Sequence, residues 1–316
     1  MTLLLLLTLL GIHPLGYLAR SQSASTTCTD PLSYQVRLDR AGFSPGEIDA
    51  ALGPNLQRAI SAFQTSVNMP PSGRPDCPTW EALGGAGGGD VLSEYTVTSA
   101  DVNGDLLGEP LPPDLGQQAR FTALSYASVA EAIAERFHAS PRLLARLNPG
   151  VRFEAGVTLK VPAVGPFDPS TRPATASTVG DVSIEVSRHD STLRAVRADG
   201  TLAFFAPVSS GSQHDPLPIG NWKVTGTAWK PRFHYNPDLF WDAEDGDSKA
   251  ILQPGPNNPV GVVWIDINVP HYGMHGTPTP NLVGHAQSHG CVRLTNWDAA
   301  RLASLVKPGT RVVFSE

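Results

Sequence analysis

Residues 288–294 read Ser288-His289-Gly290-Cys291-Val292-Arg293-Leu294, and His275-Gly276-Thr277 lies a short loop upstream. A thiol that follows glycine and precedes a cation by two positions is a candidate nucleophile. A nearby imidazole or cation favours the thiolate, the reactive form of cysteine. Glycine before it lets the backbone approach a substrate and present an N–H to an oxyanion. His275 is the candidate base. Four of the nine histidines, His271, His275, His285 and His289, crowd this region, so a metal site with Cys291 as a sulfur ligand is a second reading. Against it, Tyr272-Gly273-Met274 and Gly290 are poor helix formers, so the i, i+4 histidine spacings lose their geometric meaning. A third reading has loop histidines beside a buried cysteine.

The surrounding texture is that of a β-domain with long loops. Val182, Ile184 and Val186 alternate with polar residues, as do Leu193 and Val196, and less strictly Leu202 and Phe204. Asp199-Gly200 is a hairpin signal between two such runs. Val260 to Ile267 is strongly apolar, and Arg311 to Phe314 predicts a last short strand.

Upstream, the chain divides into smaller units. Residues 28–83 predict a compact helical module. Asp30-Pro31 starts one helix, Asn55 is placed to cap a second, and Leu56, Ala59, Ile60, Phe63 and Val67 form its apolar stripe. Residues 84–90, Gly-rich, read as a flexible linker. Within 91–163, Ser128-Val129-Ala130-Glu131 is a capping-box pattern that turns Val129, Ile133 and Phe137 inward. Ser140-Pro141 opens a further helix, which Asn148-Pro149-Gly150 ends. With the extended Leu159-Lys160-Val161, this predicts a small α+β unit. A proline-rich spacer spans 164–178, and the last domain spans 179–316.

At the start, TLLLLLTLLGI over residues 2–12 is shorter than the ~20 apolar residues of a spanning helix. Small polar residues follow it, so residues 1–25 are expected to be an export leader, although no Lys or Arg precedes the apolar run. No transmembrane segment is expected in the mature chain.

Composition sets the outer bounds. Thirty glycines and twenty-nine prolines in 316 residues favour turns and β-structure over a long helical bundle. A formal net charge of −6, with no basic stripe, argues against nucleic acid as a partner. The three cysteines, Cys28, Cys77 and Cys291, leave at least one unpaired.

His275-Gly276-Thr277, followed after a gap by Ser288-His289-Gly290-Cys291, resembles the signature of L,D-transpeptidase (YkuD-type) catalytic domains. The similarity extends through Pro218-Ile219-Gly220-Asn221-Trp222, Tyr235-Asn236-Pro237, Gly261 to Asp266 and Thr295-Asn296-Trp297-Asp298. Gly42 to Asp49, Gly53-Pro54-Asn55, Ala62-Phe63-Gln64 and Thr79 to Leu83 resemble a peptidoglycan-binding domain. Residues 91–163 are similar to a LysM glycan-binding unit through Ala134 to Phe137, Leu147-Asn148-Pro149 and Leu159 to Pro162.

The resemblance implies a multidomain chain: an all-α peptidoglycan-binding module, a small α+β LysM-like unit, and a mostly β, sandwich-like catalytic domain. It implies a thioester-forming acyltransferase of cell-wall biogenesis and cell shape, needing no metal or cofactor. Its partners would be peptidoglycan stem peptides and glycan in the periplasm of the envelope. Cys291 would be the nucleophile and His275 the proton donor and acceptor, with Gly290 supplying an oxyanion N–H and His289 supporting. Ser288, Gly276, Tyr235 and Arg293 would contact substrate. Arg293 has a second reading as an internal partner, and Tyr235 as groove wall. The acceptor would be a second stem or a lysine of an outer-membrane lipoprotein. A hydrolase using water and a non-catalytic wall-binding protein are the alternatives. Cys28 and Cys77 would pair in an oxidising compartment.

Overall fold

The computed structural model describes residues 28–173, 182–244 and 246–316. The expected leader and residues 174–178 of the spacer lie outside them.

The first module holds three helices. Helix α1 (Pro31–Ala41) is capped by Asp30, whose carboxylate accepts from the Ser33 amide, and it ends at Gly42 with φ +92°. Helix α2 (Pro54–Ser66) starts two positions earlier than predicted. Gly53 is its N-cap, Pro54 its first residue, and the Asn55 side chain turns away to another domain. Leu56, Ala59, Ile60 and Phe63 are buried, but Val67 at the frayed end is 40% exposed. Helix α3 (Cys77–Ala82) is capped by Asp76, and Cys77 is disulfide-bonded to Cys28.

In the middle unit, strand β1 (Leu92–Thr96) precedes the short helices α4 (Ser99–Asn103) and α5 (Leu115–Gln118). Helices α6 (Val129–Arg136) and α7 (Pro141–Leu147) follow, and β2 (Thr158–Pro162) pairs antiparallel with β1. Ser128 caps α6, but the Glu131 carboxylate accepts from the Ala127 amide, so the box closes one residue upstream of the predicted partner.

The C-terminal domain is built on a nine-stranded mixed sheet. Its strands in chain order are β3 (Val182–Ser187), β4 (Thr192–Arg197), β5 (Leu202–Pro207), β6 (Ser209–Ser210) and β7 (Gly220–Trp229). A two-stranded ribbon of β8 (Phe233–Tyr235) and β9 (Ala250–Leu252) projects from it. Then come β10 (Val263–Ile267), β11 (Gly273–His275), β12 (Val292–Arg293), helix α8 (Asn296–Leu305) and β13 (Arg311–Ser315). The order is β5-β4-β3-β13-β7-β10-β11-β12-β6. Ten-residue β7 pairs with β13 along its first half and β10 along its second. The two expected layers are therefore halves of one sheet. Val182, Ile184, Val186, Val263, Ile265, Met274, Val292 and Phe314 enclose the core with Trp297 and Leu302 of α8.

The modules are interlocked rather than strung on linkers. Phe43 bridges Phe205 on edge strand β5, covering that edge, and Phe205 joins the first module's core. Val36 and Ile48 of the first module share a core with Ile133, Leu144, Leu159 and Val161 of the middle unit. The Gly84–Gly89 run is pinned. Arg37 donates to Gly85 O at 2.6 Å and Arg40 to Gly88 O and Asp90 O. Phe167, in the predicted spacer, is buried in the catalytic core.

Candidate active site

Strand pairing sets the site. β11 and β12 run parallel with Met274 opposite Val292 and His275 opposite Arg293. Cys291 immediately precedes β12, so the period-two alternation of a strand puts it on the face of Arg293 and His275. The loop over 276–290 makes this parallel crossover.

His275 is 4% exposed. Its Nδ1 lies 2.6 Å from the Gly276 carbonyl oxygen, which can only accept, so Nδ1 holds the proton and Nε2 is left as the basic nitrogen. Trp264, its cross-strand partner on β10, stacks on the ring at 5.5 Å and 17°. Burial, reinforced by the Arg293 charge, lowers the His275 pKa to about 3. Cys291 is free and half-buried, and its sulfur donates to the His271 carbonyl at 3.5 Å. Burial raises its pKa to about 11, with the Gly273 amide and the Arg293 guanidinium opposing that rise. A neutral thiol and a neutral imidazole on one face of adjacent strands are suited to proton transfer during attack rather than before it.

The turn around Cys291 is held from below. The buried Ser288 hydroxyl donates to Cys291 O at 2.6 Å and accepts from the Gly211 amide at 2.7 Å. Gly290 has φ +97°, and a Cβ there would fall 2.5 Å from Tyr272 Cε1, so no other residue fits. Gly276 is likewise packed, against the Asn296 side chain.

The chain matches the L,D-transpeptidase catalytic domain family, YkuD, over residues 181–314, and a peptidoglycan binding domain family over residues 30–83. It carries an L,D-transpeptidase catalytic domain. Among similar proteins, YkuD of Bacillus licheniformis, named as an L,D-transpeptidase, is 29% identical over 185 residues, spanning 58% of this chain and 90% of that one. YqjB of Bacillus subtilis, also so named, is 29% identical over 142 residues, covering 43% and 73% of the two chains. The crystal structure of L,D-transpeptidase 3 from Mycobacterium tuberculosis superposes with a TM-score of 0.36 at 18% identity, over 52% of this chain and 77% of that one.

In this L,D-transpeptidase domain the other expected site residues divide. The His289 Nε2 donates to Asp242 at 2.8 Å, and its Nδ1 faces an Arg293 nitrogen at 3.4 Å. This ties the loop after β8 to the loop before β12. Arg293 makes no ion pair with a carboxylate among the described residues. Tyr235 is buried against Phe240 and Leu252, and its hydroxyl donates to Asp247 at 2.6 Å. Of the four clustered histidines, His285 lines a cleft against the first module, while His271 gives only its carbonyl to the site. No three His, Cys, Asp or Glu side chains converge as a metal-holding group among the described residues. No helix there is long and apolar enough to cross a membrane.

Sequence reasoning missed Asp242 and Asp215. Asp215 acts on the Cys291 thiol by charge from the 211–217 loop. No spacing signal links these positions to the motif, because Asp242 and Asp215 each arrive on a different loop.

Proposed function

We propose that the domain transfers acyl groups between peptidoglycan stem peptides through a thioester on Cys291. One observation carries this: His275 presents Nε2 as its only unprotonated nitrogen, on the strand beside the one that Cys291 begins. Cys291 attacks the carbonyl between the third and fourth stem residues, diaminopimelate and D-alanine in the family that the motif resembles. His275 Nε2 takes the thiol proton as the C–S bond forms. The backbone N–H groups of Gly290 and Cys291 hold the oxyanion. One such donor is worth roughly 2.7–4 kcal/mol. The C–N bond then breaks, and D-alanine leaves with the proton from His275. An acceptor amine attacks the thioester, His275 removes its proton, and the thiol is regenerated.

Arg293, half-buried and without a carboxylate partner among the described residues, is suited to a stem carboxylate. Ser288 acts by holding the turn, and Tyr235 by shaping the groove wall. The first module and the LysM-like middle unit would hold glycan while the C-terminal domain works on the peptide. Export to the periplasm is the setting that a leader and a wall substrate imply.

Incubation with disaccharide-tetrapeptides and mass analysis of the products tests this. Cross-linked dimers, absent with Cys291→Ala, are expected. Tripeptide alone would mean hydrolysis, dimers only with an added lipoprotein peptide would mean anchoring, and no product would leave a binding protein.

A further inference from the structure

We propose that Glu135, a residue of the middle unit, acts through Asn296 as a positioning residue for His275. This rests on the acyl-transfer reading above. Both side chains are buried, Glu135 at 7% exposure and Asn296 at 0%. Glu135 Oε1 accepts from Asn296 Nδ2 at 2.9 Å, across 161 positions of sequence. The same Nδ2 donates to Pro256 O at 3.0 Å, so both amide hydrogens have acceptors.

The other end of that amide supports the site. Asn296 Oδ1 accepts from the Val262 amide at 3.1 Å. It also lies against the α-carbons of Gly261 and Gly276. A Cβ built on those two residues would sit 2.0 and 2.2 Å from it. Gly276 is the residue whose carbonyl receives the His275 Nδ1 proton. Asn296 Oδ1 thus packs directly on the peptide that sets which nitrogen of His275 is basic.

An asparagine amide can turn over, exchanging oxygen and NH2. Turned over here, its NH2 would face the Val262 N–H and crowd Gly276, while its oxygen would meet Pro256 O. Glu135 supplies the second acceptor that opposes this exchange. Burial raises the Glu135 pKa to about 8, but the carbonyl oxygen of a protonated carboxyl accepts as well. The consequence is specific to this chain's architecture. A side chain from the middle unit, 47 positions before the catalytic domain's first described residue, completes the support of the base.

The test compares Glu135→Ala and Glu135→Gln with the parent, all corrected for active protein by thiol titration. Three readouts are taken: kcat and KM for cross-linking of disaccharide-tetrapeptide, and the rate of Cys291 alkylation by iodoacetamide at pH 7. Because small misplacements of a catalytic group are costly, Glu135→Ala is expected to lose about tenfold or more in kcat and in alkylation rate, with KM within about twofold. Glu135→Gln, which retains the acceptor oxygen, should restore both rates to within about twofold of the parent. Should Glu135→Ala fail to fold, Glu135→Asp, too short to reach Asn296, carries the same expectation. Parent-like rates in the shortened variant would overturn the proposal. So would a Glu135→Gln variant as slow as Glu135→Ala. A parent that alkylates but forms no cross-links would defeat the function proposed above, and the alkylation ratios would still decide the role of Glu135.

Discussion

The Asn55 side-chain amide donates to the Val283 carbonyl at 2.8 Å, joining the first turn of α2 to the loop between His275 and Cys291. Arg58, one turn on, reaches the Gly284 carbonyl at 3.2 Å and braces Asn55. Ser209 binds the same loop from the sheet, at Leu282 O and the Gly284 amide. The first module is therefore a wall of the loop between His275 and Cys291. Asn55→Ala leaves the Val283 carbonyl buried without this donor and should cost about 1–3 kcal/mol. Limited proteolysis is expected to cut first within 277–287 in this variant, at a site protected in the parent. Unchanged cleavage would show that the contact does not hold the loop.

Gly290→Ala combines two penalties. Its φ of +97° disfavours any side chain by about 1–2 kcal/mol, and the new methyl meets Tyr272. Carbapenem acylation of Cys291, followed by intact mass, should slow at least tenfold. Adding Tyr272→Ala relieves the collision but not the backbone strain, so it should recover only part of the rate.

Buried carboxyls make stability depend on pH. Asp298 lies in the junction between modules, accepting from the Ser44 hydroxyl at 2.7 Å, and burial raises its pKa to about 7. Its folded value exceeds its unfolded one, so the stability it contributes is full below about pH 4 and is lost as pH rises through 7. Glu135 acts in the same sense up to about pH 8. His275, lowered to about 3, acts oppositely, and folding is disfavoured as pH falls from 6.5 towards 3. Asp298→Asn keeps the acceptor for Ser44 and removes one titration. The fall in unfolding free energy between pH 5 and pH 8 should then shrink by on the order of 2 kcal/mol in urea titrations. An unchanged difference would place the buried proton elsewhere.

The Cys28–Cys77 bond closes a loop of 49 positions around the first module. Replacing both with serine should destabilise that module by roughly 2–4 kcal/mol. In parent protein denatured without reductant, thiol reagent should find one cysteine, and in Cys291→Ala none. A second reactive thiol in the parent would contradict the pairing.

What the sequence made legible follows a physical division. Local signals survived: Asp30 and Ser140 cap their helices, Asp199-Gly200 turns β4 into β5, and Val182, Ile184 and Val186 face the core. The motif residues His275 and Cys291 stand out in the sequence because the chemistry proposed for them demands those side chains. Long-range partners were not. Asn55 suits a helix cap as well as a contact to Val283, and only the docked loop decides between them. The glycine run of 84–89 reads as flexible by composition, yet Arg37 and Arg40 lie more than forty positions away and fix it. Val67 continues the stripe of α2 in sequence, but the helix ends at Ser66 and the side chain turns outward. Glu135 and Asn296 meet only because the middle unit packs on the catalytic domain.

The central claim is a thioester on Cys291, and trapping it is the most direct measurement. Brief incubation with a disaccharide-tetrapeptide lacking an acceptor, acid quench and intact mass should show the protein carrying the donor minus D-alanine. Fragmentation should place the added mass on Cys291, and His275→Ala should suppress it. An adduct on any other residue, or cross-linking that persists in Cys291→Ala, would contradict the account.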